Sequence, residues 1–458
     1  MPCGLHGVIV RRFYADQCYF KIFMNSDSTL LSEHPTAPGC SNSIPAYTKP
    51  THRPREVWID SLKGFMMFFV IYGHATADDD IINYIYSFHM PIFFLLSGML
   101  FRFNREKSCL LFIKKKFGSL MLPYFALSLY AAPLREWMER IGEANSQSAL
   151  DLAEGTLLSN ADFGLKMSSN TNWFIPCLFL TTVVSFLIWK AGFGLTRRLN
   201  QCFRNAGKKF RAYYQLINRK IPVVDLVIAL IFLAVFAVCT LLGLNHGSGG
   251  IWHWKVALYA TGFYLLGYLI MPMTGTIRSR IFQHRKVLGI IILLLFTAGF
   301  LLSYRNGYVS MIHNKYKNLG LYYASAVATC LAWILLFMTS PKSPLRFAAP
   351  IRRILTFVGT RTFPYIAFQV PVMKLIRHYV PFFRQSGEIY VLALSLLLFF
   401  GLMPLADRIN RIIPKQFRLT LIPQEIRSRA VRYLRRILSA CSARRIFRIL
   451  HIRRTVWR

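Results

Sequence analysis

The chain has 458 residues, 54% of them hydrophobic, with 56 Lys plus Arg against 19 Asp plus Glu and a formal net charge of +37. Only 16% of residues are charged, against about 25% in soluble domains; this excludes a disordered chain and argues against an ordinary cytosolic enzyme. A basic excess suits nucleic acid, but long apolar runs recur throughout, so no nucleic-acid partner is expected and the lipid bilayer is.

Residues 1–56 are mixed and polar and lack the sustained apolar region of a signal peptide. They read as a cytoplasmic segment. A bilayer core of ~30 Å takes about 20 apolar residues per helix. Ten such stretches follow: 57–77, 81–101, 117–133, 173–189, 223–243, 254–272, 287–304, 320–338, 362–380 and 389–406. The expected fold is therefore all-α, a polytopic membrane protein of about ten transmembrane helices. Its domain spans 57–406, with a basic tail over 407–458.

The connections test this reading. With the N-terminus inside, the alternate segments 1–56, 102–116, 190–221, 273–286, 340–361 and 408–458 hold 45 of the 56 basic residues; the opposite connections hold 7. That asymmetry follows the positive-inside rule and places both termini in the cytoplasm. The outer connection 134–170 is acidic, and its stretch 133–140 suits a short helix. In the tail, Ile426, Ala430, Leu434, Ile437 and Cys441 recur at helical spacing among arginines. A basic amphipathic helix on anionic lipid is one reading; a solvated tail is the other. The nine cysteines are dispersed, without metal-ligand spacing, and read as packing residues. Three consecutive acids, Asp78 to Asp80, point in different directions and read as a solvated turn. No metal site and no bound cofactor are expected.

The first two spans carry the chemistry. Span one holds Asp60, Lys63 and His74. A charge at the centre of a membrane helix costs about 2.5–3.5 kcal/mol on insertion scales. Asp60 and Lys63, three apart, share a face and sit near the inner end, so an anchoring pair at the interface remains an alternative. His74 lies eleven residues beyond Lys63. Eleven steps of a helix return to within about 20° of the same face, after a rise of about 16 Å. Span two reads Ser87-Phe88-His89-Met90-Pro91, then Ser97-Gly98. Pro91 removes a helical hydrogen bond, and the carbonyl it frees near Ser87 wants a polar partner, which His89 can supply. The alternative is that His89 and His74 face one polar cavity.

Lys63-x10-His74, the run Ser87 to Pro91, Ser97-Gly98, a basic loop leading to Leu122-Pro123-Tyr124, and Trp173-Phe174-Ile175-Pro176 together resemble the acyltransferase-3 family of integral-membrane O-acyltransferases. Ile59-Asp60-x-x-Lys63-Gly64 with Phe88-His89-Met90-Pro91 is most similar to the fucose 4-O-acetylase-like branch. The resemblance implies transfer of an acyl group, usually acetyl from acetyl-CoA as cosubstrate, to a hydroxyl of an envelope or exopolysaccharide sugar at the bacterial plasma membrane. It maps the family's basic-x10-His pair onto Lys63 and His74. Two departures stand out. Gln369 occupies a position where many members carry His, and Ser119 one where many carry Arg.

On that resemblance, His74 is the expected general base, with His89 orienting or assisting. Lys63, Arg102, Lys114, Lys115 and Lys116 would hold the anionic CoA. Asp60, Ser97, Tyr124, Trp173 and Gln369 complete the expected substrate-binding set. The rival classes are an inactive relative that binds a glycan, favoured by Gln369, and a glycan or lipid transporter, which should spread polar residues over more spans.

Overall fold

A computed structural model describes residues 56–102, 108–143, 148–159, 170–205, 223–247, 249–280, 284–339, 348–385 and 387–417. The proposed tail helix and residues 1–55 lie outside them. In chain order the α-helices are α1 (Val57–Ala75), α2 (Asp79–Met99), α3 (Cys109–Lys116), α4 (Leu122–Arg140), α5 (Ala149–Leu158), α6 (Phe174–Asn205) and α7 (Val223–Leu241). They continue with α8 (Trp254–Arg280), α9 (Arg285–Asn306), α10 (Leu319–Thr339), α11 (Ala348–Gly359), α12 (Thr362–Tyr379), α13 (Glu388–Gly401) and α14 (Met403–Phe417). The one exception to an all-α fold among the described residues is a two-residue hairpin, β1 (Val309–Ser310) with β2 (Lys315–Tyr316), paired antiparallel.

Eight helical stretches among the described residues are long and apolar enough to cross a membrane. The two remaining expected spans correspond to α1 and α12, the helices that carry Lys63, His74 and Gln369. Their polar content lowers their hydropathy, and their position makes up for it. Helix α1 packs against α2, α10, α11, α12 and α13, so Asp60 is buried in protein. The most apolar helices stand outermost: α7 and α9 are only 22% and 17% buried over their apolar windows, against 67% for α2 and α6.

Two pairs of glycines set the closest approaches. A Cβ on Gly64 would lie 1.9 Å from the Leu355 carbonyl oxygen of α11, and one on Gly359 would lie 1.7 Å from that of Asp60. Gly98 and Gly267 do the same between α2 and α8. Small residues at crossings let helix backbones approach where no hydrophobic force drives them together. Ser61 Oγ and Thr356 Oγ1, 2.9 Å apart, complete the α1–α11 contact.

Several boundaries differ from the sequence reading. The basic stretch expected as a loop ends in helix: α3 passes through a π turn, Phe117–Met121, into α4. In that turn the Leu122 amide donates to Phe117, five residues back, just ahead of Pro123, which has no N–H to give. The short helix expected over 133–140 is the continuation of α4. Helix α6 runs on to Asn205, past the expected end at 189. The connection 340–361 contains α11, and span ten breaks at Leu402 ahead of Pro404.

Candidate active site

Helices α1 and α2 form a hairpin closed by residues 76–78. Asp78 caps α2, its carboxylate accepting from the Ile81 amide at 2.9 Å, and Asp78 to Asp80 are exposed. The hairpin brings the two histidines to one end of the bundle, with Tyr86 between them. The Tyr86 ring centroid lies 6.3 Å from that of His74 and 4.9 Å from that of His89. Its hydroxyl donates to the Gly73 carbonyl at a long 3.4 Å.

The two imidazoles differ. His89 is buried, and its Nδ1 lies 2.8 Å from the Ile85 carbonyl. A carbonyl only accepts, so Nδ1 carries the proton and the lone pair is on Nε2. The partner is thus Ile85, not the carbonyl near Ser87 suggested by Pro91. His74 is exposed, between buried Gly73 and Ala75, and no described residue hydrogen-bonds its ring. An accessible imidazole without a partner is suited to proton transfer; a buried, anchored one is suited to orientation.

The chain on either side of His74 is held. Glu388, in the first turn of α13, accepts from Tyr72 Oη and, at 2.8 Å, from Thr76 Oγ1. Arg377 of α12 donates to the Ala75 carbonyl. These clamps, and Tyr86, escaped sequence reasoning. Glu388 is 314 positions from His74, with no local signal; Tyr86 had one, standing three residues before His89 on the same helical face.

At the other end of α1, Asp60 is buried (8% exposed) and Lys63 half-buried. Arg102 and Lys114 are exposed, Lys115 half-buried, and Lys116 Nζ sits 4.8 Å from the centre of the Phe101 ring. That cation–π contact brings α3 to the end of α2, beside Arg102. Ser97 Oγ donates to the Phe93 carbonyl at 2.7 Å, and the buried Tyr124 hydroxyl donates to the Thr156 carbonyl at 2.8 Å, tying α5 to α4.

Gln369 is the anomaly. It is 1% exposed, and neither amide atom has a hydrogen-bond partner. Each such orphan costs about 1–3 kcal/mol. It lies on α12, which packs against α1, α4 and the 3-10 turn Asn170–Trp173. Trp173 itself is buried against the ring of His253, centroids 5.2 Å apart.

The family model for the acyltransferase domain of the acyltransferase 3 family matches residues 56–406, from the start of α1 into α14. The chain belongs to the acyltransferase 3 family. No curated protein and no solved structure matches it. This acyltransferase is a multi-pass membrane protein, and its matched region holds every residue placed above.

Proposed function

We propose that the protein moves an acetyl group from acetyl-CoA to a hydroxyl of an envelope or exopolysaccharide sugar, as an O-acetyltransferase of the fucose 4-O-acetylase-like branch. One observation carries this reading: His74, accessible and without a partner, stands beside anchored His89 across Tyr86. A hydroxyl is a poor nucleophile near neutrality, and a neutral imidazole takes its proton as it attacks. In the proposed step His74 accepts the hydroxyl proton, the oxygen bonds to the thioester carbonyl carbon, and the C–S bond breaks. The CoA thiolate leaves and takes the proton back.

Lys63, Arg102 and Lys114 to Lys116 would hold the CoA phosphates. The distribution of basic residues supports ten crossings of a bacterial plasma membrane, with both termini cytoplasmic and the CoA side inside. The helix α1 is unbroken between Lys63 and His74, a rise of about 16 Å, about half of the ~30 Å core, a distance for an extended pantetheine arm to span between phosphates held at the inner end and an acceptor nearer the outer face. The second reading, an inactive glycan-binding relative, is favoured by Gln369, whose amide cannot titrate. Vesicles given acetyl-CoA labelled in the acetyl group separate the two. Label on glycan, lost in His74→Ala, is the expected result; full transfer by that variant refutes the role of His74, and no transfer by the wild type favours the inactive relative.

A further inference from the structure

Four non-glycine residues among the described ones have left-handed backbone: Ser159, Trp252, His253 and Asn314. They come from three separate stretches of chain and meet in one place. Trp252 Nε1 donates to the Leu157 carbonyl at 2.6 Å, two residues before Ser159. The His253 ring faces the backbone of Ser159 and Ile312 and lies near His313. Asn314 Nδ2 donates at 2.8 Å to the Leu244 carbonyl, on the turn that leads to His253. Left-handed backbone costs such residues about 1–2 kcal/mol each, and strain of this kind gathers at ligand clamps.

The polar atoms here are also unsatisfied. His253 is 0% exposed, yet its ring nitrogens make no well-aligned hydrogen bond, only looser approaches to the Ile312 and Ser159 backbone. Ser159 Oγ and the side-chain oxygens of Asn172, Asn245 and Asn314 are likewise buried without partners. The orphaned amide atoms are all acceptors. Imidazole offers one acceptor and one donor. The Trp173 indole stands 5.2 Å from the imidazole, next to Asn172. Trp173 and Asn172 keep 7% and 8% exposure, which makes them the edge of the cluster. None of these side chains is acidic or cationic. The complement is a neutral molecule rich in hydroxyl donors, with an apolar face for the indole.

The cluster is joined to the histidine pair. Tyr308, which leads into β1, contacts Tyr86 with centroids 6.2 Å apart. Phe174, after Trp173, packs on Phe93 and Phe94 of α2.

We propose that His253, Asn172 and Trp173 form a binding subsite for a neutral sugar ring of the acceptor. Its place in acyl transfer rests on the function proposed above; its ability to bind a sugar does not.

The test uses the full chain in lipid nanodiscs, titrated with the methyl glycosides of glucose, galactose and fucose and followed by tryptophan fluorescence and thermal unfolding. A saturable fluorescence change with at least one glycoside is expected. Trp173→Phe should abolish the signal. His253→Gln and Asn172→Ala should each weaken binding about tenfold, the worth of one hydrogen bond. In the transfer assay the same two variants should raise KM for the glycoside and hold kcat. The proposal is overturned if no glycoside saturates, if the signal survives Trp173→Phe, or if affinity is unchanged in both variants while Tm falls. The last outcome would mark a packing cluster satisfied by water. A wild type that binds glycosides but transfers nothing overturns the transferase reading and keeps the subsite. One that acylates them with KM indifferent to both substitutions does the reverse.

Discussion

Glu388 is the residue whose removal should most clearly separate placement from chemistry. It touches neither imidazole, but it holds Tyr72 and Thr76, the chain on both sides of His74. Replacing it with Ala leaves both hydroxyls without their anionic partner. A hydrogen bond to a charged group contributes about 1.5–3 kcal/mol. Glu388 is half-buried, so solvent replaces part of that, and a loss of about 2–3 kcal/mol for the two bonds is expected. The end of α1 would then keep the Arg377 bond to the Ala75 carbonyl and the long Tyr86 bond to the Gly73 carbonyl. A shift of ~1 Å in a reacting group costs about a hundredfold in rate. On the function proposed above, Glu388→Ala should therefore lower kcat by about that factor in vesicles, with KM for the acyl donor retained. Glu388→Gln keeps a carbonyl that accepts from one hydroxyl and an amide that donates to the other, so it should restore most of the rate. Both variants need thermal unfolding beside the kinetics. A Glu388→Ala protein that transfers the acyl group at the wild-type rate would refute the clamp, and a Gln variant as slow as the Ala variant would show that charge, not geometry, was the contribution.

Three further outcomes follow from the packing. Tyr86→Phe keeps the ring between the histidines and loses only a 3.4 Å hydrogen bond, so transfer should fall less than about threefold, whereas Tyr86→Ala opens the gap and should cost at least about tenfold; steady-state kinetics in vesicles checks both. Gly359→Ala puts a Cβ 1.7 Å from the Asp60 carbonyl oxygen; the two helices must separate, and a loss of about 1–3 kcal/mol should appear as a lower Tm. Gln369→Leu removes two orphaned polar atoms from a buried position, so it should raise Tm while lowering transfer, the pattern of a residue kept for function at a cost in stability. Unchanged transfer with a higher Tm would show that Gln369 meets no substrate.

The membrane class, the helical fold and the first two helices were legible because they rest on local quantities. Apolar runs set by bilayer thickness need no partner to be recognised, and neither does the spacing of Lys63 and His74 along one helix. The same local view misread the helix ends. Apolar content alone does not show that α3 runs into α4 through a π turn, or that α6 outruns its apolar part. It also misses why α1 and α12 can be the least apolar of the expected spans. Other helices pack against them, so Asp60 and Gln369 are buried in protein.

What only the tertiary structure decided is which polar groups meet. Sequence placed His74 and His89 fifteen residues apart and could not say that Tyr86 stands between them, that His89 is anchored and His74 open, or that Glu388 and Arg377 hold the end of α1. Nor could it assemble Ser159, Trp252 and Asn314 around the buried imidazole of His253. Composition and period are properties of a segment, read from neighbours in the chain. A site is made by distant segments whose helices are brought into contact by small residues such as Gly64 and Gly359, and that closeness has no signature at either position alone.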